Sequence, residues 1–146
     1  PEYPAIVLSA LDSAGIPPAR LALEILLPAT ADRQPLSGLH ALREAGVGIT
    51  LDAFGRQPVE MTMLPTVRAT TLKVDRALTA YATGPLGVGR MLAGVVEMAG
   101  GLGLTCIAEG IETAAQATAA ADLGFARGQG FYFGKPVDPS EALIGS

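Results

Sequence analysis

Leu104-Thr105-Cys106-Ile107-Ala108-Glu109-Gly110-Ile111-Glu112-Thr113 is the stretch whose reading decides the fold. An apolar run stops at a carboxylate, passes a glycine and reaches a threonine that opens an Ala-rich helical pattern. A buried strand that turns straight into a helix is half of a βαβ unit. It puts Glu109 at a strand's C-terminal end, where α/β folds keep their chemistry.

Working outward, the same alternation repeats. Upstream, Leu86, Met91, Leu92, Val95 and Met98 form one apolar helical stripe ending at Gly100-Gly101 and preceded by a Gly84-Pro85 turn. Thr71 to Val74 reads as the strand before it. Residues Ala53 to Pro65 hold two prolines and predict a loop with a short helix. Val47 to Leu51 reads as a strand stopping at Asp52, after a helix capped by Ser37, running through Leu39 and Leu42 and ended by Gly46. Leu21 to Leu26 reads as the first strand, following a helix through Ala5, Ile6, Leu8 and Leu11 that Gly15 and Pro17-Pro18 close. Downstream, a helix from Thr113 to Leu123 ends at Gly124, Gly130 to Phe133 reads as a fifth strand, and Asp138-Pro139 opens a last helix. Five strands separated by helices predict right-handed βαβ units and a parallel sheet. Periodicity leaves two architectures open: a complete doubly wound sheet, or part of a (β/α)8 barrel, which needs about 250 residues.

Composition narrows the function classes. The chain has 146 residues, 49% hydrophobic and 16% charged, enough to bury a core as a single domain over 1–146. A net charge of -4 gives no general attraction to DNA, RNA or an anionic membrane. The lone Cys106 excludes an internal disulfide and reads as a packed small hydrophobe, which suits a cytoplasmic protein. No apolar run is long enough to span a bilayer, and no basic region with an apolar core opens the chain. A start at Pro1 rather than Met reads as a piece of a longer protein.

Polar residues at the strand ends carry the chemistry. Glu24 lies in the first strand, Asp52 closes the second, Lys73 and Asp75 sit in or just after the third, Glu109 closes the fourth and Gln129 precedes the fifth. In a parallel sheet these converge on one rim. Converging carboxylates repel unless protonated or bridged by cations, and an oxygen-rich set favours Mg2+, Mn2+ or Ca2+ over zinc. An ammonium from Lys73 among them would orient a water or neutralise charge developing on a phosphate, so metal-assisted phosphoester chemistry is the reading to test. The competing explanations are ordinary ones: a helix cap or solvent for Asp75 and Glu112, and a snorkelling surface side chain for Lys73. His40 falls on an exposed helix face, and Gly87-Val88-Gly89 reads as the start of a helix, lacking the third glycine of a dinucleotide site.

In order, Leu21-Ala22-Leu23-Glu24-Ile25, Gly48-Ile49-Thr50-Leu51-Asp52-Ala53-Phe54-Gly55, Leu72-Lys73-Val74-Asp75-Arg76, Ala108-Glu109-Gly110-Ile111-Glu112-Thr113 with Gln116, and Gly128-Gln129-Gly130-Phe131-Tyr132-Phe133-Gly134-Lys135-Pro136 resemble the later motifs of the EAL domain. That family comprises bacterial phosphodiesterases that open cyclic di-GMP to linear pGpG, and degenerate members that bind the nucleotide or a protein without cleaving it. The resemblance implies the C-terminal part of a modified TIM barrel lacking its N-terminal strands, used in signal transduction. It implies metal roles for Glu24, Asp52 and Glu109, catalytic roles for Lys73, Glu109 and the supporting acid Glu112, and nucleotide contacts for Asp75 and Gln129.

The departures carry equal weight. The signature Glu-Ala-Leu strand, its nearby arginine and the metal-binding asparagine belong to the family's N-terminal half. Where the family has two consecutive aspartates this chain has Asp52-Ala53, and an alanine cannot ligate the second metal. The Thr-Gly-Tyr-Ser-Ser loop is replaced by Arg56-Gln57-Pro58-Val59-Glu60, and the Thr-Glu after the first glutamate by Leu26-Leu27. The resemblance therefore implies a degenerate, non-catalytic domain for nucleotide sensing or protein interaction, with Mg2+ or Mn2+ binding weakened. The alternative is a metal-dependent phosphodiesterase when part of a longer protein. Five parallel strands would leave two open edges, so a second copy or a protein partner is expected to cover them.

Overall fold

The computed structural model describes residues 3–26, 36–84 and 86–138. Five strands form one sheet in the order β1-β2-β3-β4-β5, all parallel: β1 Ala22–Leu26, β2 Gly48–Phe54, β3 Thr71–Val74, β4 Thr105–Ala108 and β5 Arg127–Gly128. The connections carry α2 Ser37–Glu44, α3 Leu64–Val67, α4 Arg76–Thr79, α5 Leu86–Gly101 and α6 Ala114–Asp122, while α1 Tyr3–Ser13 precedes β1. No described helix is long and apolar enough to cross a membrane.

Strand alternation sorts the side chains. Ile49, Leu51, Leu72, Val74, Cys106 and Ala108 point to the helix-covered face and form the core with Leu92, Ala99 and Phe125. The other face carries Glu24 beside Thr50 beside Thr71 in register, with Lys73 opposite Ile107. A smaller core of Leu11, Leu42 and Val47 fastens α1 and α2 to the sheet's β1 side.

Most sequence-based boundaries agree with the structure to within about two residues, and four readings need correction. Ser37 is the first helical residue of α2 and makes no side-chain cap. β2 does not stop at Asp52 but runs to Phe54, through a bulge in which Ala53 takes φ 54°. Arg76–Thr79 forms a single helical turn, α4, that no periodicity marks. The fifth strand is Arg127–Gly128, and Phe131–Phe133 form a turn after it. Gln129 therefore follows β5 instead of preceding it. The reason lies at Gly130, whose backbone passes so close to Ile111 that a Cβ there would sit 2.2 Å from the Ile111 carbonyl oxygen. Of the helix expected to open at Asp138-Pro139, all that follows Asp138 lies outside the described residues, as do Leu27 and Pro85.

Candidate functional site

Lys73 stands at the middle of the sheet with only 5% of its surface exposed. Its Nζ lies 3.1 and 3.0 Å from the two carboxylate oxygens of Glu24, 2.8 Å from Glu109 Oε1 and 3.5 Å from Asp52 Oδ1. Each partner comes from a different strand. Glu24 reaches across from β1, Asp52 from β2, and Glu109 sits one residue beyond β4, where its N–H still donates to the Val74 carbonyl at 3.0 Å. The side chains of Glu109 and Asp52 are 20% and 28% exposed and that of Glu24 52%, because β1 is the edge strand.

Burial works against a charged lysine and is the largest influence on its pKa. Hydrogen bonds that the ammonium donates to Glu109 and Glu24, with the charges of Glu109 and Asp52, outweigh it and hold its pKa above its ordinary value. Lys73 therefore stays charged at neutral pH. The surface-lysine reading is overturned, while the expectation of an ammonium among the carboxylates agrees with the geometry. Asp52 Oδ1, by contrast, is buried and accepts no hydrogen bond from the described residues.

The other sequence candidates lie on the same rim outside this cluster. Asp75 Oδ1 accepts from the Ala77 N–H at 2.8 Å and caps α4, the ordinary role weighed for it. Glu112 is exposed, and its N–H and that of Thr113 both donate to Gln116 Oε1, within the capping box that opens α6. Gln129 is exposed and borders an open depression of about 420 Å³ with Phe131, Phe133 and Lys135. His40, half-buried in α2, places Nε2 2.9 Å from the Thr66 carbonyl and takes no part. Cys106 is buried on the helix-covered face, and burial pushes its thiol up to about 11, leaving it protonated and unreactive. Sequence reasoning missed Thr79: it is 1% exposed and its hydroxyl donates to the Glu109 carbonyl. Its only signal was the cap already suspected at Asp75, four residues earlier.

A model of the EAL domain family matches residues 1–136. The chain belongs to the EAL domain family. It is similar to the bifunctional diguanylate cyclase/cyclic di-GMP phosphodiesterase MucR of Pseudomonas aeruginosa, 32% identical over 96% of this chain and 21% of MucR. The solved MucR phosphodiesterase in complex with cyclic di-GMP superposes with a TM-score of 0.83 at 30% identity, over 93% of this chain and 56% of that one. The EAL domain of Mycobacterium smegmatis DcpA gives 0.89 at 28% identity, over 98% and 65%. Klebsiella pneumoniae BlrP1, solved with manganese and cyclic di-GMP, gives 0.84 at 28% identity, over 93% and 35%. The chain spans about a fifth of the length of curated relatives such as MucR. The parallel sheet and its helices are thus part of a TIM-barrel-like EAL fold, and the domain is one of the cyclic di-GMP signalling family.

The residues can be tested against the metals that such neighbours hold. The donors are all carboxylate oxygens, the type hard divalent cations take. Three carboxylates against one ammonium leave formal negative charge in excess, and Asp52 Oδ1 accepts no hydrogen bond from the described residues. The donor type of Glu24, Asp52 and Glu109 suits a hard cation, while their present spacing is set by Lys73 Nζ and not by a metal. Ala53, next to Asp52, adds no side-chain oxygen to that set. The acids gather around Lys73 Nζ, and among the described residues no three acid, His or Cys side chains already stand at metal-ligand spacing.

Proposed function

We propose that this domain senses cyclic di-GMP without hydrolysing it, in the cytoplasm. The observation that carries this reading is Ala53 beside the Lys73–Glu24–Asp52–Glu109 cluster. Phosphoryl chemistry with two metals needs an ion on both the attacking and the leaving oxygen, and losing one removes several kcal/mol of transition-state stabilisation. Glu24, Asp52 and Glu109 are the donors that would hold Mg2+ or Mn2+, which would offset phosphate charge when bound. Lys73 contributes a fixed ammonium aimed at the same rim, and Asp75, Glu112 and Gln129 stand around it to contact the nucleotide. The open sheet edges are covered by a second copy or a protein partner.

The competing reading is a metal-dependent phosphodiesterase active within a longer protein, with Lys73, Glu109 and Glu112 catalytic. Calorimetric titration of cyclic di-GMP with Mn2+ or Mg2+, alongside chromatography for pGpG, separates the two. Binding that weakens on chelation, with no pGpG formed, is the expected result. Turnover would establish the phosphodiesterase reading, and absence of binding would leave protein interaction as the function.

A further inference from the structure

Glu109 is held at two points by one short segment of chain. Its carboxylate meets Lys73 Nζ at 2.8 Å, and its backbone carbonyl accepts a hydrogen bond from the Thr79 hydroxyl. Lys73 lies in β3 and Thr79 ends α4, with only Val74, Asp75 and the rest of that helical turn between them. Asp75 fixes the near end of the turn: its N–H donates to the Phe54 carbonyl at 2.9 Å, its Oδ1 caps Ala77, and its carbonyl accepts from Thr79 at 3.1 Å. The first residue of the turn, Arg76, packs against the residue after Glu109. Gly110 takes φ 70°, and a Cβ there would come within 2.3 Å of Arg76 Cβ, so α4 lies directly against the Glu109-Gly110 corner.

We propose that Thr79 is a positioning residue for the Glu109 carboxylate. A carbonyl just past the end of β4 has lost its strand ladder and needs another donor when buried. The Thr79 hydroxyl, itself without solvent contact, supplies that donor and thereby sets the direction in which the corner presents Glu109 to Lys73. The hydrogen bond of the Thr79 hydroxyl goes to the backbone of Glu109, and it is through that bond that Thr79 acts on the carboxylate.

The nucleotide part of the test rests on the sensing function proposed above; the spectroscopic part does not. Thr79→Val keeps the shape and removes the donor, Thr79→Ser keeps the donor, and both are compared with the unaltered chain. The readouts are the 15N signal and hydrogen exchange of the Lys73 ammonium, the 13C shift of the Glu109 carboxylate, and cyclic di-GMP affinity. Thr79→Val is expected to shift the Glu109 signal, speed Lys73 exchange and weaken nucleotide binding about tenfold, while Thr79→Ser restores all three. Should Thr79→Val not fold, Thr79→Cys, with its weak S–H donor, is read the same way against Thr79→Ser. Unaltered Lys73 and Glu109 signals in the donor-free variant overturn the proposal. If the unaltered chain binds no nucleotide, the sensing reading fails and the spectroscopic comparison still decides the role of Thr79.

Discussion

An ammonium removed from water is stable only where acceptors replace its hydration, and Lys73 has three carboxylates to do so. Two of those carboxylates are partly solvated and the third is half exposed, so the cluster is worth less than a dry ion pair. Replacing Lys73 by Met leaves Glu24, Asp52 and Glu109 facing one another. That variant is expected to lose about 1–3 kcal/mol at neutral pH in urea unfolding, a range discounted for exposure. Mn2+ is expected to raise the Tm of Lys73→Met by more than that of the unaltered chain, since the ion meets the same acids without a competing ammonium. The pH dependence has a definite sign. With the folded pKa above the ordinary 10.5, the lysine contribution is fully present below 10.5 and declines as pH rises from there through the folded value. The stability difference between the two chains should therefore stay level up to about pH 10 and shrink above it. A difference that grows with alkalinity would contradict the cluster. The convergence of these residues was legible in the sequence because parallel strands bring their C-terminal ends to one rim. Their unequal exposure was not, since nothing in Leu23-Glu24-Ile25 marks β1 as an edge.

At the scale of elements, the readable parts were those with a period or a punctuating residue. The stripe from Leu86 to Met98 lies within the helix expected of it, and Thr113 stands at the start of the other, as its cap. Single turns and bulges lack such signals. α4 is four residues long, too short to show a helical period, and the aromatic run at Phe131–Phe133 mimics a strand that the close approach of Gly130 to Ile111 prevents. The bulge in β2 was hidden because alanine seldom adopts a left-handed conformation. Ala53 does so at φ 54°, which costs a residue with a Cβ about 1 kcal/mol. Ala53→Gly relieves that strain and is expected to gain about 0.5–1 kcal/mol in denaturant unfolding without disturbing the Lys73 signals. A loss of stability would mean that the bulge is not held in solution. Aspartate tolerates this conformation better than alanine. The backbone at position 53 is thus still suited to the acid that the resemblance places there.

At the scale of the whole molecule, the sheet ends in two strands that, among the described residues, each pair on one side only. They are not equivalent liabilities. β5 is two residues long, and a short edge offers little to pair with, whereas β1 presents five residues with Leu26 64% exposed at its end. On the β5 side, Phe131 and Phe133 are each 59% exposed, so apolar surface is present at both limits of the sheet. Removing such surface from water favours association, at roughly 25 cal/mol per Å² of apolar area buried. The β1 edge should dominate because strand pairing adds backbone hydrogen bonds to that burial. Sedimentation velocity is therefore expected to show the isolated chain self-associating as concentration rises. Leu26→Lys, which puts a charge on the exposed face of the edge strand, should shift it toward monomer while changing unfolding stability by no more than about 0.5 kcal/mol. A chain that stays monomeric at every concentration would rule out self-association through β1. A variant that still associates would instead move the contact to the aromatic surface beyond β5.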